Sequence, residues 1–162
     1  MKPTIDEVKK FFFEAKLHGW AADVPSSSVP GKPGYKRITF KRGRFLLVDE
    51  WCTTGHSRMS AGTSTIFCDK EPVWFMSYTG FYEKVAIPFL KLALLRSYQA
   101  REFNGGRGPN DFEQKGMVYS NEVDLDDFEN FQGCESVTRK GRGQKLLGEH
   151  HYYGVSLLRE SD

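Results

Sequence analysis

The stretch "PVWFMSYTGFY", residues 72–82, decides how this chain is read. It places five aromatic residues and a methionine in eleven positions, with a glycine near its end. Rings and β-branched residues in so short a run mark a strand. Alternate residues of a strand share a face, so Trp74, Met76 and Tyr78 fall together. Much later "KLLGEHHYYGVSL", residues 145–157, repeats the form: a strand-like run, a tyrosine two places before a glycine, then apolar residues. Aligning Gly80 with Gly154 puts Gly148, His150 and Tyr152 on the face of Trp74, Met76 and Tyr78. His151 and Tyr153 then match Ser77 and Thr79.

Working outward, "CDKEP" (68–72) is a hairpin turn, and "GTSTIFC", "RFLLVDEW" and "YKRITFK" precede it as strands back to Tyr35. Ahead of them "ADVPSSSVPGKPGYK", residues 22–36, holds three prolines, two glycines and three serines and reads as a loop. The chain starts with a helix. Thr4 and Glu7 form a capping-box pattern, and Ile5, Val8, Phe12 and Ala15 follow at helical spacing, with an end near His18-Gly19. Beyond the opening stretch, "EKVAIPFLKLALLRSYQ" (83–99) is a second helix with Pro88 in its first turn, the position a proline tolerates. "NGGRGPND" (104–111) is a loop. "KGMVYSNEV", "GCESVTRK" and "QKLLGEHHYYGVSLL" are strands, with "GRG" (141–143) as a turn.

"RGRFLLVDEW" echoes "KGMVYSNEV", "WFMSYTGFY" echoes "GEHHYYGVS", and a helix precedes each block. The fold class expected is therefore α+β. An internally duplicated unit, a helix plus 3–4 antiparallel strands, would form a curved antiparallel sheet with two helices on one face. The whole of 1–162 is read as a single domain with pseudo-repeat halves at about 4–82 and 84–158. The other face of the sheet is then the one expected to be free for function.

Composition narrows the functional classes. The hydrophobic fraction is 39% and the aromatic fraction 14%, too rich in rings for a disordered chain. Lys plus Arg number 23 against 21 Asp plus Glu, so no global field draws the protein to nucleic acid or membrane. Cys52, Cys68 and Cys134 are widely spaced with no CxxC pair, which fits reduced thiols in a cytoplasmic protein. The opening "MKPTIDEVKK" lacks the apolar core of a signal peptide. "VAIPFLKLALL" (85–95) is too short to span a bilayer.

The runs "FFFEAKLHGWAA", "PVWFMSYTGFY", "RGPNDFEQKGMVYSNEVDLDDFENFQGCESV" and "HYYGVSLL" resemble a microbial family catalogued only as a domain of unknown function. Its most specific parts are the W-x-M-x-Y-x-G strand ending and the G-P-x-x-(F/Y) block near residue 108. Some members follow helix-turn-helix regulators. The resemblance brings no activity, cofactor or catalytic residue. The polar region 52–61 departs from its pattern.

Trp51, Trp74, Met76, Tyr78, His150 and Tyr152 are the candidate ligand-binding residues. An aromatic sheet face of that kind suits a non-enzymatic domain that binds a small molecule or a protein partner; a homodimer formed through the same face is the competing use. The alternative is a hydrolytic or other acid/base enzyme using Glu50, Glu122 and His150. If the halves match, Glu50 and Glu122 occupy equivalent places, and two neighbouring carboxylates perturb each other's ionisation. Glu149 shares the face of His151, but the spacing shows no ligand set, and neither a metal nor another cofactor is expected. A third reading is a nucleic-acid binder through the basic residues 32–44: Lys32, Lys36, Arg37, Lys41, Arg42 and Arg44 with interleaved rings. The acidic run 121–130 weighs against it, and nucleic acid is not the expected partner.

Overall fold

The computed structural model describes residues 1–158. Helix α1 spans Ile5–Lys16 and α2 spans Ile87–Ala100. The strands are β1 Ser27–Ser28, β2 Tyr35–Arg42, β3 Phe45–Thr53, β4 Met59–Cys68, β5 Glu71–Tyr82, β6 Asp111–Gln114, β7 Met117–Asp127, β8 Asn130–Arg139 and β9 Lys145–Ser156. They form one antiparallel sheet in the order β1-β2-β3-β4-β5-β9-β8-β7-β6.

The expected duplication of a helix with three or four strands is corrected by this sheet. Its nine strands are continuous, five before α2 and four after it. Two of them are short pieces: β1 lies in the stretch read from sequence as a loop, and β6 begins at the last residue of the 104–111 loop. The echo between "WFMSYTGFY" and "GEHHYYGVS" has a local cause: β5 and β9 pair with each other, Tyr78 against Tyr152 and Gly80 against His150. Rings on one strand need space on the next. Tyr78 faces Gly62, His150 faces Gly80, Tyr82 faces Gly148, Tyr152 faces Gly133 and Phe131 faces Gly154. A Cβ at each of these glycines would meet the opposing side chain at 2.6 Å or less. Aromatic and glycine recur together because they are cross-strand partners.

Helix α1 begins as its sequence dictates. The Thr4 hydroxyl accepts from the Glu7 N–H at 3.2 Å, and the Glu7 carboxylate accepts from the Thr4 N–H at 2.8 Å. Its Val8, Phe12 and Ala15 are fully buried against the sheet. Pro88 sits in the first turn of α2, where no intrahelical N–H is lost.

Both helices bury residues against the face that carries Trp74, Met76, Tyr78, His150 and Tyr152. That face is therefore covered, and the face expected to be free carries other residues. Trp74 is the anchor. It stacks with Phe131 at 5.3 Å and Phe128 at 5.5 Å, meets Phe12 of α1 at 5.2 Å, and donates its indole N–H to the Phe128 carbonyl at 3.0 Å.

Candidate functional site

Further along the covered face the packing opens. A cavity of about 220 Å³ lies between the sheet and α2. Its floor is Asp49, Trp51 and Thr53 of β3, Ser60 of β4, Tyr78 and Tyr82 of β5 and His150 of β9; Trp20, Arg58, Ile87, Leu90 and Arg107 close its sides. Trp20 belongs to a 3-10 turn, Trp20–Ala22, and Lys91 of α2 lies 4.5 Å above its ring while pairing with Asp23 at 2.5 Å.

Arg107 enters from the loop after α2. Gly105 and Gly106 take φ of 63° and 74° there, a left-handed turn that glycine adopts without strain. Tyr98 donates to the Gly106 carbonyl at 3.1 Å, and the Asn121 amide donates to the Asn104 and Gly108 carbonyls at 3.0 and 2.9 Å. Thus held, the buried guanidinium donates to Glu135 of β8, Nε to Oε1 at 2.9 Å. Glu135 is wholly buried and also accepts from Tyr82 at 2.9 Å and Tyr119 at 2.6 Å. Burial alone would push its carboxyl up. The Arg107 charge and the donated hydrogen bonds outweigh that and hold it below the usual range.

A second buried carboxylate is similarly satisfied. Asp49 accepts from Tyr78 at 2.7 Å and from Ser64 at 3.0 Å, and Lys16 of α1 donates to Ser64 at 2.9 Å. Burial lowers the Lys16 pKa, and Asp49, 3.9 Å from the ammonium, offsets part of the fall.

His150 differs. Its ring lies 4.6 Å from that of Tyr82 and 5.8 Å from that of Tyr78. Nε2 meets the Ser60 hydroxyl at 3.1 Å, whereas the buried Nδ1 has no hydrogen-bond partner among the described residues. Burial, reinforced by Arg107, depresses its pKa to about 4 against the pull of Glu135. The imidazole is neutral at pH 7, with one nitrogen unmatched.

Of the residues singled out from sequence, Trp51, Tyr78 and His150 line this cavity. Trp74 and Met76 lie behind it, fully buried in the core. Tyr152 shares their face but is engaged elsewhere, donating to Asn121 at 2.7 Å. Glu50 and Glu122 are not brought together. They stand on β3 and β7, five strand steps apart, or about 24 Å at the usual spacing. Glu50 takes Lys32 at 2.6 Å and Arg37 at 2.6 Å, and these partners hold its carboxyl low. The basic stretch meets acids from elsewhere in the chain: Arg42 pairs with Glu14, and Arg44 with Asp69 at 3.1 Å. Tyr82, Arg107 and Glu135 have no mark as site residues in the sequence reading, and Asp49 stands there only as the neighbour of Glu50. Glu135 had a legible sign, since it shares the parity of Phe131 and Val137, and a charge on a buried face demands a partner.

The family model for a domain of unknown function, DUF5680, matches residues 53–155, more than half of the chain and all of the sheet from β4 to β9 save its last residue. The chain belongs to the DUF5680 family. No curated protein and no solved structure matches it. The family match takes in Arg58, Ser60, Tyr78, Tyr82, Arg107 and His150 of the cavity wall and leaves Trp20, Asp49 and Trp51 outside. No helix among the described residues is long and apolar enough to cross a membrane.

Proposed function

We propose that this domain binds a small, uncharged, aromatic molecule in the cavity between the sheet and α2. The observation that carries the reading is the cavity itself, walled by the rings of Trp20, Trp51, Tyr78, Tyr82 and His150, with the charged groups around it already paired. The walls select for a flat molecule, because Trp20, Trp51, Tyr78 and Tyr82 offer stacking surfaces. The charges select for a neutral one. Arg107 is compensated by Glu135, Arg58 by Glu83 at 2.8 Å, and Lys16 by Asp49. A cavity of about 150 Å³ accepts a benzene-sized ring, so this one suits one ring or a fused pair.

Binding is favoured over acid/base catalysis because the two carboxylates nearest the cavity already hold their hydrogen bonds internally.

Isothermal titration with indole and with benzimidazole should give saturable heats, and each should raise the melting temperature. Trp51→Ala should weaken binding at least about tenfold, as expected for loss of a central aromatic contact. An unsaturable response, or one unchanged in Trp51→Ala, would refute the proposal.

A further inference from the structure

The open face of the sheet carries a second cluster, separate from the cavity. Cys134 of β8 is the register partner of His151 of β9, and Glu149 lies two residues before His151, hence on the same face. His151 Nε2 is 3.8 Å from Cys134 Sγ and 3.3 Å from Glu149 Oε1. One ligand atom from each of the three lies within 4.8 Å of the other two.

Both separations from the imidazole are close to those of a coordination polyhedron. With zinc bonds of about 2.3 Å to sulfur and about 2.0–2.2 Å to nitrogen and oxygen, tetrahedral geometry puts sulfur and nitrogen about 3.6 Å apart, and nitrogen and oxygen about 3.4 Å apart. The observed pairs agree within about 0.3 Å. Thiolate and imidazole with one carboxylate also form a donor set that favours zinc over magnesium or calcium.

We propose that Cys134, Glu149 and His151 bind zinc(II) on the open face of the sheet, with a fourth coordination position left to water. The register does the positioning, since directly opposed residues of antiparallel strands carry their Cβ atoms about 4.5–5.5 Å apart. The surroundings suit a cation. Glu122 is the partner of Cys134 on its other side, in β7. Glu149 and Glu122 thus flank Cys134 from both neighbouring strands, and their carboxylates attract a divalent ion. On binding, the thiol proton passes to solvent and Cys134 ligates as thiolate, so one proton is released per zinc bound.

Cobalt(II) added to the metal-free full chain tests this spectroscopically. The proposal predicts one equivalent bound, a thiolate-to-cobalt charge-transfer band, tetrahedral ligand-field bands, and displacement of both by zinc. Cys134→Ser should abolish the charge-transfer band. His151→Ala and Glu149→Ala should weaken binding at least about tenfold, while Cys52→Ser and His56→Ala leave it unchanged. In the unaltered protein, zinc should protect Cys134 from alkylation, read by mass spectrometry of the modified peptide. Absence of the band, its survival in Cys134→Ser, or unprotected Cys134 overturns the assignment.

Discussion

On the covered face of the central strand pair, the Trp74 end of β5 and the His150 region of β9 present the same kind of surface and reach different outcomes. Around Trp74 the rings of Phe12, Phe128 and Phe131 leave no gap, and the indole N–H has its acceptor. Around His150 the rings line a cavity, and one imidazole nitrogen has nothing to bond. Both regions are aromatic and both lie beneath a helix. They differ in whether polar atoms are satisfied, and that distinguishes a region built for stability from one that still has a partner to gain.

The predictions that sharpen this contrast begin with the polar groups between the two regions. Burial raises the pKa values of Tyr78, Tyr82, Tyr98 and Tyr119 above the ordinary value of 10.0, and Asp49 or Glu135 adds to each rise. Tyrosines of the unfolded chain ionise first, so the stabilisation is full below pH 10 and is lost as pH rises beyond it. Each such tyrosine should remove about 1.4 kcal/mol per pH unit. Denaturant unfolding at a series of alkaline pH values, with tyrosinate absorbance followed in native and unfolded protein, checks it; ionisation of all tyrosines near pH 10 in the native state would contradict it.

Glu135→Ala should follow in size. It strands the Arg107 guanidinium in the interior, at a cost of about 3–5 kcal/mol. Equilibrium unfolding in urea would measure it, and a loss below about 1 kcal/mol would mean the pair is hydrated. The direct comparison is between two substitutions to phenylalanine. Trp74→Phe deletes a buried donor and leaves the Phe128 carbonyl unmatched, costing about 1–3 kcal/mol. His150→Phe removes the unmatched Nδ1 together with the Nε2 bond to the part-buried Ser60 hydroxyl, and should cost about 0.5–1.5 kcal/mol, less than Trp74→Phe. Equal losses in the two variants would erase the distinction between the regions.

Much of this was legible in the sequence. The capping box at Thr4 and Glu7, the turn at 68–72 and the placement of Pro88 each follow from local chemistry, and each is seen. Parity also placed Trp74, Met76, Tyr78, His150 and Tyr152 on one face. Parity divides a strand into two faces without saying which is covered, so the covered face was mistaken for the open one. The short charged strand β6 carries too little pattern to announce itself. The aromatic and glycine recurrences looked like duplication because cross-strand ring packing writes the same motif into both partners. Arg107 and Glu135 lie 28 residues apart, and no local pattern links them until β8 and the loop after α2 are folded together.

The central claim is that a ligand seats against the His150 ring in the cavity. Nitrogen-15 spectra of histidine-labelled protein, recorded with and without saturating indole or benzimidazole, address that ring directly. A binding-dependent shift of the His150 Nδ1 resonance, absent from His56 and from the Trp51→Ala variant, is the predicted result. Saturable binding that leaves the His150 Nδ1 resonance where it was would contradict it.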